Sequence, residues 1–306
     1  MTTTTSPAPP AVAGPAVRRP RRDWRGWMFV GPFLVVFLVA VVVPVGYAAY
    51  LSTYRRQLIG GTTFVGLDNY VTLLHDPGFW SGLGRVALFL AVQVPIMLLL
   101  ALAAALAIDS ARLHAAGFFR VVIFLPYAVP AVVAVLMWGF IYSDKFGLTA
   151  GLNDLLGTQF SPFANSWLLA AIGNIVTWEF VGYNMLIFYA TLRTVPSDLV
   201  EAAQLDGAGT FRVIRAVKLP ALRGAAVIAT IFSILGSFQL FTEPIILKPL
   251  APNVLTTDYT PNMYAYFTSF AGQQNNYAAA VAIVMGVVTA AVAYVVQLRG
   301  TRREER

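Results

Sequence analysis

The sequence contains no cysteine, so it can form neither a disulfide nor a thiolate metal site. Its two histidines, His75 and His114, fall in separate loops, and no nucleophile triad or carboxylate pair occurs at helical spacing. It has only three lysines, and none follows a glycine-rich phosphate-binding loop of the Walker A type. These absences predict a protein with no catalytic site, no metal site and no ATP site of its own.

Charge is also scarce, because 11% of the residues are charged and 58% are hydrophobic. A helix needs about 20 apolar residues to cross a bilayer. Apolar runs of about that length predict an all-α membrane protein with six transmembrane helices. The runs are 27–51, 82–108, 118–142, 167–192, 224–247 and 277–298.

The basic residues indicate how these spans are oriented. The net charge is +7, but the basic residues lie at the ends of apolar runs instead of on one domain, which disfavours a nucleic-acid partner. They concentrate in the N-terminal arm, in 109–120, in 193–223 and in the C-terminal tail. Because Lys and Arg favour the cytoplasmic side, both termini are predicted to be cytoplasmic in a multi-pass membrane protein.

The domain organisation follows from the same pattern. Residues 1–22, rich in Thr, Pro and Ala, are predicted to be a disordered cytoplasmic arm. Residues 23–298 form the membrane domain, and 299–306 form a basic cytoplasmic tail. A cleaved signal peptide is the alternative for the arm and first run, disfavoured because the run is about twice the usual apolar length of a signal.

Three further local predictions concern the membrane domain. The outer loops 52–81, 143–166 and 248–276 have room for short helices. Pro126 and Pro130 are expected to kink the third span. Arg85, at the start of the second span, is expected to extend to the outer surface.

The polar stretch "EAAQLDGAGTFRVIRAVKLP" follows the fourth apolar run. Asp198 and Glu201 resemble a capping box for a first short helix that ends near Asp206, where glycines break the pattern. Thr210 is expected to cap a second helix that ends at Leu219 and Pro220. On geometry alone this is a linker with its apolar side packed on the bundle.

The residues of this stretch also carry a family resemblance. Glu201-Ala202-Ala203, then Gly207, then Val217-Lys218-Leu219-Pro220 at fixed spacing resembles the EAA loop of permease subunits of ATP-binding cassette importers. Val217 stands where that loop usually has Ile. "FVGLDNY" at 64–70, "FLPYAVPAVVAVLMW" at 124–138 and the Asp-Gly-Ala at 206–208 are similar to the carbohydrate branch of that family.

The resemblance implies the fold of a type I importer permease and a function in sugar import, with a di- or oligosaccharide as substrate. It implies a second permease subunit, two ATPase subunits that bind ATP and Mg, an extracytoplasmic sugar-binding protein and surrounding membrane lipid. The loop 196–220 would couple to the ATPase. By carry-over, the coupling residues are Glu201, Ala202, Ala203, Asp206, Gly207, Leu219 and Pro220.

Polar residues inside the spans mark a candidate substrate path. A charged carboxylate at a helix centre costs about 2.5 to 3.5 kcal/mol, so Glu179 should face the bundle or a wet cavity. Helical spacing places Phe232, Gly236, Gln239 and Glu243 on one face of the fifth span. Aromatic, amide and carboxylate groups together suit a sugar. The candidate path residues are Glu179, Tyr183, Phe232, Gln239 and Glu243.

Three alternatives stay open at this point. Glu179 and Gln239 could join neighbouring helices as structural hydrogen-bonding groups. The chain could be an ion-gradient-driven transporter or channel with Glu179 as its coupling carboxylate, or an importer permease for a solute other than a sugar. Asn174 and Asn184 lie five residues from Glu179 on either side and are expected to point away from the path.

Overall fold

The computed structural model describes residues 25–57, 60–110 and 113–304, and the chain divides into two units, Met1–Tyr47 and Ala48–Arg306. The arm predicted at 1–22 lies outside the described residues. The described part of the first unit is helical: α1 (Arg25–Phe37) continues through a π-helical segment, Leu38–Val42, into α2 (Val43–Ser52). Together they form one membrane-length helix, Gly26–Ser52.

The second unit contains the other membrane-length helices. The described residues include five candidate spans, or six when a bent helix pair counts as one span. The predicted all-helical membrane fold is therefore confirmed. These spans are α4 (Pro77–Ile108), α8 (Leu168–Leu192), α12 (Arg223–Phe238) with α13 (Thr242–Leu247), and α15 (Asn275–Glu304), which continues into the basic tail.

The third span is broken more sharply than the sequence predicts. It consists of α5 (Ala116–Phe124), a 3₁₀ turn at Leu125–Ala128 and α6 (Ala131–Ile141), with a bend of 97° between its halves. Pro126 lies in the first turn of the 3₁₀ segment and Pro130 directly precedes α6. Neither proline has an N–H to continue the helical ladder, so the expected kink becomes a break.

The fifth span is interrupted as well, which the sequence analysis did not predict. α12 ends at Phe238, and α13 begins only at Thr242. The carbonyls freed at this break have partners: Asn262 Nδ2 donates to Phe238 O at 2.9 Å, and Thr260 Oγ1 donates to Leu240 O at 3.0 Å. Gln239 and Glu243 are therefore not on one continuous helical face, because side chains from 260–262 replace the helical hydrogen bonds.

Short elements connect the spans at the end of the bundle opposite the 197–221 segment. Helices occur in the predicted outer loops, as expected, but the antiparallel β-hairpin was missed because its strands lack an alternating apolar pattern. Arg85 is half-buried and reaches the last outer loop, where its Nη1 donates to the carbonyls of Asp258 and Tyr259 at 3.4 and 3.3 Å. The elements are β1 (Tyr54–Gln57), β2 (Gly61–Phe64), α3 (Asp68–Leu74), α7 (Leu148–Leu156) and α14 (Pro261–Phe270).

Buried apolar side chains hold the second unit together along the α4–α8 pair. Near the connecting elements, Phe89 and Ile172 belong to one buried cluster with Leu247. Farther along the same helices, Ala105 and Met185 belong to a second cluster. Small residues such as Ala105 allow close helix packing, which drives helix association in a bilayer.

Asp76 ties three elements together at this end. Its Oδ1 accepts a hydrogen bond from Gly78 N at 2.9 Å and caps α4, while its Oδ2 accepts from the hydroxyls of Tyr264 and Tyr277. Burial alone raises the pKa of Asp76, but these hydrogen bonds outweigh it and hold the pKa below its usual value. The carboxylate thus stabilises the fold in its charged form.

We expect Asp76→Asn to lower the free energy of unfolding by about 1–2 kcal/mol, because an amide cannot accept as many hydrogen bonds as a carboxylate. A lowered pKa contributes stability that is present above the unfolded-state value, about pH 3.9, and is lost as the pH falls through the folded-state value. In detergent, the thermal unfolding midpoint of Asp76→Asn should lie below that of the wild type at pH 7, and this difference should narrow below about pH 4. Asp68→Asn, on the exposed start of α3, is the control; an equal loss in both variants would contradict the assignment.

Candidate functional site

The segment between α8 and α12 forms a bent helical hairpin. It contains α9 (Ser197–Leu205), α10 (Thr210–Val213), a π-helical segment (Ile214–Lys218) and α11 (Leu219–Ala221). Gly207 has a φ of +79°, and two hydrogen bonds close the end of α9: Gly207 N to Gln204 O at 3.0 Å, and Ala208 N to Ala203 O at 2.9 Å. This is a Schellman ending, which requires the left-handed conformation that glycine adopts without strain. The predicted bend at Gly207 is confirmed.

The predicted side-chain caps of the hairpin are wrong, whereas its predicted end agrees with the structure to within one residue. Pro196 precedes α9 without a side-chain cap, and Gly209, not Thr210, precedes α10. The second helix ends at Ala221, one residue beyond the predicted end at Leu219 and Pro220, and a π-helical segment comes directly before these two residues. The wider π-helical turn accommodates Pro220, which has no N–H to donate. The other described π-helical segment, Leu38–Val42, likewise ends two residues before a proline, Pro44.

The predicted coupling residues form an exposed surface on this hairpin. Ala203 is half-buried, and the other six are exposed: Glu201, Ala202, Asp206, Gly207, Leu219 and Pro220. Apolar side chains also project from it, since Leu205 is 89% and Phe211 is 76% exposed, whereas Val213 is buried. The hairpin therefore packs only part of its apolar side chains on this chain and leaves Leu205 and Phe211 exposed, unlike a simple linker.

A cavity of about 400 Å³ lies between the middle of α4, the break in the third span, α8 and the break in the fifth span. Tyr183, Phe232, Gln239 and Glu243 of the predicted path all line it. Glu179 does not line it; its side chain is buried, with 4% exposed. The structure thus brings four of the five candidate residues together despite the break in the fifth span.

An aromatic wall of this cavity includes a residue that sequence reasoning missed. Tyr127, in the 3₁₀ turn of the third span, stacks on Tyr183 with ring centroids 5.0 Å apart and an interplanar angle of 19°. Phe180 meets Tyr127 edge-on at 5.8 Å. No sequence pattern distinguishes Tyr127 from the other tyrosines in the spans, because the 97° bend of the third span brings its ring to the cavity.

Gly182 allows this close approach. A Cβ atom at Gly182 would collide with the carbonyl of Ile123 and would lie 2.7 Å from Phe124 Cα. Only glycine therefore lets α8 contact the backbone of α5 next to the stacked tyrosines.

Asn184 was expected to point away from the path, and that expectation is wrong. It lines the cavity with 2% of its surface exposed; its Nδ2 donates to Phe180 O at 3.0 Å, and its Oδ1 has no partner among the described residues. An unpaired buried acceptor is costly unless a ligand or water satisfies it. Asn174 does lie elsewhere, as expected: it lines a separate cavity, and its Nδ2 donates to Tyr142 OH at 2.8 Å.

The alternative of interhelical hydrogen bonds finds no support within the described ranges. Gln239 lines the cavity, and Glu179 Oε2 is buried without a hydrogen-bond partner. A buried carboxyl group without a hydrogen-bond partner is costly inside a span, and such groups are typical of functional positions in membrane proteins.

Membrane-length helices, a polar and aromatic cavity at the breaks of two spans, and an exposed hairpin define a multi-pass membrane transport subunit. Residues 97–303 match the family described as binding-protein-dependent transport system inner membrane component. The match covers more than half of the chain. The protein belongs to this family, which places it in the inner membrane.

Among curated relatives, the chain is 32% identical to the diacetylchitobiose uptake system permease protein NgcF of Streptomyces coelicolor, over 88% of this chain and 80% of the relative. It is 30% identical to the lactose transport system permease protein LacF of Rhizobium radiobacter, over 89% and 92%. The fold resembles a bacterial transporter involved in the import of the acidic polysaccharide alginate, with a TM-score of 0.79, 18% identity, and 92% and 96% coverage. The predicted type I importer permease fold is confirmed.

We expect Gly182→Val to lower the free energy of unfolding by about 1–3 kcal/mol, because the added side chain must push α5 away from α8. The thermal unfolding midpoint in detergent measures this effect. Gly84→Val in α4 is the matched control, since a Cβ atom there meets nothing within 4 Å. If both variants unfold at the same temperature, the close approach at Gly182 does not stabilise the fold.

Proposed function

We propose that this chain is the membrane-spanning subunit of an ATP-driven importer of di- or oligosaccharides, and that it forms the translocation path with a second permease. The cavity at the two broken spans is the observation that carries this proposal. Relatives named for diacetylchitobiose and lactose transport support a sugar substrate. One similar solved transporter is in complex with an alginate pentasaccharide-bound periplasmic protein, which supports delivery by a binding protein.

The cavity has the chemistry that a sugar requires. The CH faces of a sugar pack on aromatic rings, and Tyr127, Tyr183 and Phe232 supply such rings. Sugar hydroxyls need donors and acceptors, which Gln239 and Asn184 provide. The volume of about 400 Å³ lies within the range of small-molecule sites.

We assign energy coupling to the hairpin and ATP hydrolysis to partner subunits. In this proposal two ATPase subunits bind the ATP and Mg, because none of the three lysines in this sequence follows a glycine-rich phosphate-binding loop. Exposed Leu205 and Phe211 flank the bend at Gly207, so the hairpin presents an apolar surface of the kind that docks in a partner cleft. Because the hairpin is continuous with α8 and α12, its movement on closure of the ATPase dimer reorients the helices that line the cavity.

Gly207→Pro and Glu201→Lys are expected to abolish sugar-stimulated ATP hydrolysis while the complex still assembles. Proline cannot adopt the φ of +79° at Gly207, and Lys reverses the charge of an exposed docking residue. ATPase activity of the complex in proteoliposomes, with and without sugar-loaded binding protein, measures the effect. Gly209→Ala is the control, because Gly209 has an ordinary φ of −69°. Full stimulation in both test variants would remove the coupling assignment.

Tyr183→Ala and Asn184→Leu are expected to lower the rate of sugar uptake about ten-fold, the equivalent of about 1.4 kcal/mol. The first removes the stacked ring and the second removes the unpaired acceptor. Uptake of radiolabelled sugar at saturating loaded binding protein gives the rate. Asn174→Leu, in the separate cavity, should stay near wild type; an equal loss there would show that the cavity at the broken spans is not the path.

A further inference from the structure

An ion pair joins the hairpin to a helix that is not continuous with it. Lys218 Nζ donates to Asp109 Oδ2 at 2.6 Å, and the two side chains are only 16% and 11% exposed. Lys218 is the last residue of the π-helical segment, and Asp109 directly follows α4. Among the described residues, this is the only salt bridge.

The position of Asp109 calls for such a partner. A negative charge at the C-terminal end of a helix is unfavourable, because the helix dipole and the last carbonyls are also negative there. Lys218 compensates this charge, and the limited exposure of both side chains reduces screening by water and salt. The pair is therefore a stronger connection than an exposed ion pair on the surface of a helix.

The middle of α4, away from Asp109, forms one wall of the cavity. Phe89, Gln93 and Met97 of α4 line it, and Gln93 Nε2 donates to Thr177 Oγ1 of α8 at 3.2 Å. α4 is one helix from Pro77 to Ile108, although Pro95 interrupts its hydrogen-bond ladder between Gln93 and Met97. A displacement of its Asp109 end therefore reaches Met97 first and the other two side chains past this proline. The covalent chain connects the hairpin to α8 and α12. α4 packs on these two helices through buried apolar side chains, and Lys218 with Asp109 adds a direct polar contact between α4 and the hairpin.

We propose that Asp109 and Lys218 are positioning residues that transmit movement of the hairpin to the second span. The cavity wall formed by α4 then moves together with the walls formed by α8 and α12. This inference rests on the proposed coupling role of the hairpin, and it adds α4 to the helices that the hairpin moves. It predicts that the charge pair, and neither side chain by itself, is needed for coupling.

The test compares Asp109→Asn, Lys218→Gln and the exchanged pair Asp109→Lys with Lys218→Asp, each in the complete complex in proteoliposomes. We expect each single variant to keep basal ATP hydrolysis and to lose about ten-fold in the sugar-stimulated rate, which corresponds to about 1.4 kcal/mol. The exchanged pair should recover most of the stimulation. Asp154→Asn, an exposed carboxylate on α7, controls for the loss of a negative charge and should behave like wild type.

A second readout follows the movement itself and does not depend on the exchanged pair folding. Because the chain has no cysteine, nitroxide labels can be attached at Leu99→Cys on α4 and Ile228→Cys on α12, both at exposed positions. With the ion pair intact, ATP should leave the distance between these labels unchanged. In the Asp109→Asn background, ATP should shift or broaden the distance distribution.

The outcomes separate this inference from the proposed function. If Gly207→Pro abolishes stimulation but Asp109→Asn and Lys218→Gln retain it, the hairpin couples without the ion pair and the inference fails. If both single variants lose stimulation and an assembled exchanged pair does not recover it, the two residues act separately, which also overturns the inference. Retained stimulation in Gly207→Pro would instead overturn the coupling role of the hairpin.

Discussion

The structure depends on one constraint: inside a membrane, every backbone polar group needs a partner within the protein. An unbroken helix such as α8 meets this constraint by itself, and α4 does so except at Pro95, which has no N–H to donate to the carbonyl of Ala91. The third and fifth spans are broken, so their freed groups need other partners. At the fifth span, Thr260 and Asn262 supply hydrogen bonds to the carbonyls of Leu240 and Phe238. At the third span, two prolines remove donors, and the 3₁₀ turn forms its own short-range bonds.

The two breaks create the candidate site because each one frees side chains from a regular helical face. The break in the third span turns Tyr127 onto Tyr183, and Gly182 provides the space for α5 to approach α8. The break in the fifth span places Gln239 and Glu243 on the cavity wall, although they do not share a helix. Irregular backbone at membrane depth is tolerated where it lines a protein cavity, so the location of the breaks and that of the cavity have one physical cause.

The sequence predicts those features that depend on local patterns. The lengths of the apolar runs predict the spans. The bend of the hairpin is predicted from Gly207, because such a turn needs a left-handed backbone that glycine adopts easily. Features that depend on tertiary contacts were missed. Pro244 has no N–H for the carbonyl of Leu240, but the position of the break after Phe238 also depends on Thr260 and Asn262, and the role of Tyr127 depends on the bend of the third span. Gln239 and Glu243 were identified through a helical face that does not exist, because a short break shifted their direction without removing them from the cavity.

Unbroken and broken spans have different mechanical properties, and the chain uses both around one cavity. α8 has 25 residues without a break and lies between the hairpin and the outer elements, so movement at one end reaches the other. At a rise of 1.5 Å per residue, such a helix spans roughly 37 Å, more than the hydrocarbon core. The broken spans have fewer helical hydrogen bonds at the cavity, and their backbone deforms there at lower cost. Alternating access requires a large change in cavity shape from a small movement of the hairpin. A stiff helix carries that movement to the cavity, and the deformable breaks let the cavity wall change shape.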